Sequence, residues 1–113
     1  MADRDRALED SLLERTTSGL LVPGRRDLDG FKQQVRARLD RFEAEHGNTG
    51  WDQPLDRLLQ EMQEEAADLT GWGIGAALQS PATFHHRLIV PMTLGAAAWR
   101  CLEEDREDLA TRG

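Results

Sequence analysis

The chain has 113 residues, with 14 Lys or Arg against 21 Asp or Glu and a formal net charge of −7. That length fits one ordinary domain with a modest core, often completed by oligomerisation. The acidic balance argues against a nucleic-acid partner, whose phosphates need clustered basic residues. The single cysteine, Cys101, leaves no disulfide within the chain and fits a reducing cytoplasm.

Apolar residues make up 39% of the chain and charged residues 31%, a soluble, globular balance. The start, "MADRDRALED", lacks the basic-then-apolar pattern of a secretory signal. The longest apolar run, "LIVPMTLGAAAW", is too short to span a bilayer and holds a proline, so no membrane partner is expected. Tyr is absent and no segment alternates cleanly between apolar and polar, so the chain is expected to be all-α.

In chain order, residues 3–15 can form a helix with a thin apolar stripe of Ala7, Leu8 and Leu12. "TTSGLLVPGRRD" follows, a loop by its Gly and Pro punctuation. Residues 1–26 therefore read as an arm, which Leu20, Leu21 and Val22 could dock on the body or on a neighbouring subunit. Residues 27–113 read as a helical domain with a three-helix body.

Its first helix is expected from Asp27 or Asp29 to His46, with Phe31, Val35, Leu39 and Phe42 as a narrow stripe and Gly47 as the stop. Asp52 is the expected cap of the next, with Pro54 in its first turn. That helix should run over 54–78 and bury Leu55, Leu58, Leu59, Met62, Ala66, Leu69 and Gly73, centred on Leu55 and Met62. The last helix should start at Ser80–Pro81, reach about Leu109, and kink or split at Pro91. Its stretch 88–102 is apolar almost all round, marking the most buried element or an oligomer interface.

The helix at 54–78 carries Glu61, Glu64, Glu65 and Asp68 at i, i+3, i+4 and i+7, so they share one side. By angular count Glu65 borders the apolar face, Glu61 and Asp68 lie next to it, and Glu64 points furthest away. Trp72 continues the line. Like charges four apart cost roughly 0.2–0.5 kcal/mol per pair, and half-burying them costs more. A Mg²⁺ ion shared by carboxylates and substrate phosphates would offset that cost. The plainer explanation is a solvated face, with Arg57 one turn before Glu61 to neutralise it.

"EMQEEAADLTGWG" resembles the acidic helix of the all-α nucleoside triphosphate pyrophosphohydrolases, the MazG-like group. Glu65-Ala66-Ala67-Asp68 matches the E-x-x-D motif, Leu69 and Trp72 match its flank, and Glu61 and Glu64 match a preceding E-x-x-E. The "EHGNTGW" connector is faintly similar to that of related nucleotide-handling proteins. The resemblance covers about 30 residues. It implies a helical homo-oligomer using Mg²⁺ or Mn²⁺ to split a nucleotide into monophosphate and pyrophosphate. Glu61, Glu64, Glu65 and Asp68 would then be metal ligands, with Glu65 and Asp68 essential for turnover, and Arg57, Lys32 or Arg36 would contact phosphate. The family's two acidic motifs lie on consecutive helices. Here the convincing acids share one helix, while Glu103, Glu104, Glu107 and Asp108 come late on the next and lack the flank. A catalytically lapsed, nucleotide-binding relative therefore stands beside the active enzyme.

Two other classes fit the residues. One is a non-enzymatic helical interaction module, whose acidic stripe meets a basic partner and whose 88–102 stretch makes the apolar contact. The other is an oligomeric ferritin-like iron protein, since Glu43-x-x-His46 has E-x-x-H spacing. His46 in a last helical turn also suits the helix dipole without any metal. Adjacent His85 and His86 diverge by about 100° on a helix and do not share a metal easily. Cys101 and Trp72 read as core residues, and Trp51 and Trp99 as packing anchors. Of the three glycines in "GWGIG", one is expected to allow close helix approach.

Overall fold

A computed structural model describes residues 4–17, 28–47 and 52–112. These form four α-helices: α1 Arg6–Thr17, α2 Leu28–His46, α3 Leu55–Gln79 and α4 His85–Arg112. No strand occurs among the described residues, so the chain is all-α. It divides into two compact units, Met1–Gln53 and Pro54–Gly113. Leu20, Leu21, Val22 and Trp51 lie outside the described residues.

In the first unit, α1 starts at a side-chain cap. The Asp5 carboxylate accepts from the Leu8 backbone N–H at 3.0 Å, satisfying a donor that the first helical turn leaves free. α2 ends at His46, and Gly47 follows with a φ of 59°. That is the left-handed conformation glycine adopts without steric cost, as expected of a helix stop. The stripe of α2 is only partly covered: Val35, Leu39 and Phe42 are half-buried, and Phe31 is exposed.

Ion pairs join α1 and its leading segment to α2. Lys32 Nζ lies 2.7 Å from Glu14 and Arg36 Nε 3.1 Å from Asp10. Arg4, whose side chain is only 7% exposed, lies 2.7 Å from Glu9 and from Glu43, and 2.8 Å from Asp40. The Arg4 guanidinium, with Arg6 beside it, holds the Asp40 carboxyl below its usual range.

The second unit is an antiparallel pair. α3 begins directly after Pro54, whose carbonyl accepts from Arg57 N at 2.9 Å and Leu58 N at 3.2 Å. Pro54 itself, and not Asp52, occupies the cap. Ser80 also differs from expectation, since it closes α3 and caps nothing downstream. Its backbone N–H and its hydroxyl both donate to the Ala77 carbonyl, at 3.2 and 3.3 Å. Pro81 then opens a 3-10 turn, Ala82–Phe84, that leads into α4. α4 stays unbroken from His85 to Arg112 with Pro91 inside it, so the break between helices falls at Ser80–Phe84 and not at the proline.

The two helices approach closely because small residues meet. A Cβ on Gly95 would stand 2.7 Å from the Ala66 carbonyl oxygen and collide with the Thr70 hydroxyl, and one on Gly73 would run into Met92. Thr70 Oγ1 donates to the Met92 carbonyl at 2.8 Å across the same contact. Gly71 and Gly75 face open space, so Gly73 is the residue of "GWGIG" that permits close approach.

Candidate functional site

The inner side of α3 is set by Gln63, Ala66, Thr70 and Gly73, at intervals of three, four and three. Gln63 is only 3% exposed. Its Nε2 donates to the Trp99 carbonyl at 3.2 Å and to Glu103 Oε2 at 2.8 Å, and its Oε1 accepts from Arg106 at 2.6 Å. Arg106 also spans to Asp56, so four polar side chains, Asp56 and Gln63 of α3 with Glu103 and Arg106 of α4, interlock at one end of the pair. This network leaves only a faint trace in the sequence. Its signal was the heptad-like spacing of Asp56, Gln63 and Thr70, a polar row running beside a more conspicuous apolar one.

That apolar row is not covered by α4. Leu55 and Met62, the expected centre of the buried face, are both exposed, as is Leu69. The contact with α4 is turned roughly 70° from them at 100° per residue. The rotation carries the next line outward too. Trp72, expected in the core, is 80% exposed. Of the acidic residues, Glu64, Glu65 and Asp68 are exposed and Glu61 is half-buried. The outer side of α3 is therefore an apolar row, Leu55–Met62–Leu69, edged by Glu61, Glu65, Asp68 and Trp72.

Arg57 pairs with Glu61 one turn on, and Gln60 Nε2 donates to Glu64 at 3.5 Å. Among the described residues, no three or more His, Cys, Asp or Glu side chains gather so as to hold a metal ion. The four carboxylates are strung along the helix, which spreads them instead of converging them on a point. Of the expected phosphate contacts, Arg57 is paired with Glu61, Lys32 with Glu14 and Arg36 with Asp10. Glu43 of the E-x-x-H pair is gripped by Arg4, and His46 packs its ring on Phe42 at 4.7 Å between centroids.

α4 repeats the pattern. The stretch 88–102 is not the most buried element: Ile89, Val90, Leu94 and Trp99 are exposed, and only Gly95 and Leu102 are buried in this helix. Cys101 is exposed as well, contrary to its reading as core. None of the described helices is long and apolar enough to cross a membrane. Comparison with protein-family models, with curated proteins and with solved structures finds no match to this chain.

Proposed function

We propose that the Pro54–Gly113 unit is a helical protein–protein interaction module that docks a basic amphipathic helix along the outer side of α3. The observation that carries this reading is the exposed row Leu55–Met62–Leu69, with Glu61, Glu65 and Asp68 along its edge. Single exposed leucines are ordinary, whereas three large apolar residues repeating every seventh position along one line of a helix, with the exposed Trp72 at their edge, form a row that a second helix could follow. A helix laid along it would bury apolar area worth about 25 cal/mol per Å². The acids would steer and orient a cationic partner more than tighten it.

Two synthetic amphipathic helices with the same Leu stripe, one flanked by Lys and one by Glu, test this. The Lys peptide should bind, more weakly as salt rises, and Met62→Glu should abolish binding. Equal binding of both peptides, or of neither, overturns the reading.

The second reading is a MazG-like, Mg²⁺- or Mn²⁺-dependent nucleoside triphosphate pyrophosphohydrolase. It is favoured by the exposure of Glu64, Glu65 and Asp68 on the side of α3 turned away from α4. There a second subunit's ligands and a nucleotide could reach them. A metal held by Glu61, Glu64, Glu65 and Asp68 would polarise the phosphate and activate water. Pyrophosphate release from a panel of nucleoside triphosphates, lost in Glu65→Gln and Asp68→Asn, would establish it. No release with any nucleotide eliminates the active enzyme.

A further inference from the structure

The face of α4 turned away from α3 carries Val90, Leu94, Ala97 and Cys101, at intervals of four, three and four. All four are exposed. This is the spacing of a helix-pairing seam, and α4 meets α3 with the other face, through Met92, Gly95, Trp99 and Arg106.

The charges beside the seam identify what covers it. Eighteen residues make five helical turns, so positions eighteen apart lie on one line. Arg87 and Asp105 are eighteen apart and flank one edge of the seam. His86 and Glu104 are eighteen apart and flank the other. All four are exposed. Each flank therefore carries a donor or cation near the start of the seam and a carboxylate beyond its end. When two such helices pair antiparallel, like flanks face each other with their ends exchanged. Arg87 then meets Asp105 of a second copy, and His86 meets Glu104. The same register sets Val90 opposite Cys101 and Leu94 opposite Ala97. A parallel pair would instead bring opposite flanks together at equal height, setting Glu104 near Asp105 of the second copy and His86 near Arg87.

We propose that a second copy of this chain docks antiparallel on the outer face of α4, in the register that pairs Val90 with Cys101 and Arg87 with Asp105. The partner is the same sequence because one helix supplies both halves of both pairs, within one residue of equal distances from a common centre between Gly95 and Ala96. Within one chain these groups have weaker engagements. Arg87 lies over the Phe84 ring at 5.4 Å, and Glu104 meets the largely exposed Arg100 at 3.3 Å. Exposed i,i+4 pairs of that kind are weak. The inference concerns α4 and stands apart from the docking of a partner on α3.

Cys101 makes the register directly measurable. In this arrangement the two native Cys101 residues lie eleven positions apart along the paired helices, roughly 16 Å at 1.5 Å per residue. That is beyond disulfide reach. In full-length Val90→Cys protein, the new thiol faces Cys101 of the second copy. Mild oxidation should give a covalent dimer for Val90→Cys, and none for the native chain or for Val90→Cys combined with Cys101→Ser. Light scattering should show the native chain as a dimer. Leu94→Glu should be a monomer with unchanged far-ultraviolet circular dichroism, since Leu94 is outside the α3 contact. A monomeric native chain, a Cys101–Cys101 cross-link in it, no cross-link in Val90→Cys, or a Leu94→Glu protein that stays dimeric would each overturn the proposal.

Discussion

Arg106 holds both carboxylate oxygens of Asp56 across the α3–α4 pair, Nε to Oδ1 at 2.9 Å and Nη2 to Oδ2 at 3.1 Å. This two-point geometry is the strongest form of Arg–carboxylate contact, and it pulls the Asp56 carboxyl below its ordinary value of 3.8. The same contact raises the Arg106 guanidinium. A carboxyl with a depressed folded pKa adds stability above its unfolded pKa, and that contribution disappears as pH falls through the folded value. The share of the second unit's stability that this pair supplies should therefore be lost as pH falls below about 3.8. In Asp56→Asn that acid-linked loss should be missing. Circular dichroism melts from pH 2 to 6 check this. Asp40 carries the same sign through Arg4 and Arg6, so Asp40→Asn should remove a separate share in the first unit.

Gln63 is a buried polar residue of the α3–α4 contact, bonded to the Trp99 carbonyl, Glu103 and Arg106. A polar group in such a seam specifies register more than it adds stability. In Gln63→Leu the three hydrogen bonds, each with a net value of about 1 kcal/mol, are exchanged for apolar burial of similar size. Helix content should hold and stability should change by no more than about 1 kcal/mol. The amide NMR spectrum should split or broaden as α3 and α4 slide between registers. A single sharp spectrum would show that the small-residue contact at Gly73 and Gly95 fixes the register alone.

The glycines separate cleanly. Gly95 has the Ala66 carbonyl oxygen and the Thr70 hydroxyl where a Cβ would sit, so Gly95→Ala must push α3 and α4 apart. Overpacking of this kind costs about 1–3 kcal/mol. Gly71 has nothing within 4 Å of that position and sits within a helix. Gly71→Ala should stabilise by roughly 0.5–1 kcal/mol through lower backbone entropy in the unfolded chain. Urea titrations of the two variants should move in opposite directions.

The helices themselves were legible in the sequence. Gly47 as a stop and an all-α chain follow from local chemistry, and local chemistry is preserved when the chain folds. The placement of the buried face was not legible. Leu55 and Met62 mark a face that favours burial, but hydrophobic periodicity says nothing of what buries it. Within this chain α4 packs about a fifth of a turn away, where Ala66, Gly73 and Gly95 allow close approach and Gln63 finds three partners. Trp72 and Cys101 are exposed, not core, for the same reason, since each lies on a face that α3 and α4 leave open. The acidic stripe was found correctly as a line. Its exposure could not be seen, because it depends on that same rotation.

Arg4 lies within hydrogen-bonding distance of three carboxylates, Glu9 in α1 and Asp40 and Glu43 in α2, and its own charge is strengthened most by Glu43 and then Glu9. Arg4→Ala would leave these carboxylates facing one another with Arg6 as the cation nearest Asp40, at 3.0 Å. Among the described residues, the other ties of α1 are the buried Leu13 and Thr17, the Arg6–Asp40 pair, and the pairs that Arg36 and Lys32 make with its exposed carboxylates. Hydrogen exchange in α1 should therefore speed up in Arg4→Ala, with α3 and α4 unchanged. Arg4→Lys should restore only part of the protection, because one ammonium lacks the planar fork that reaches Glu9 and Glu43 together. Full protection in Arg4→Ala would mean that Leu13, not the ion pairs, keeps α1 in place.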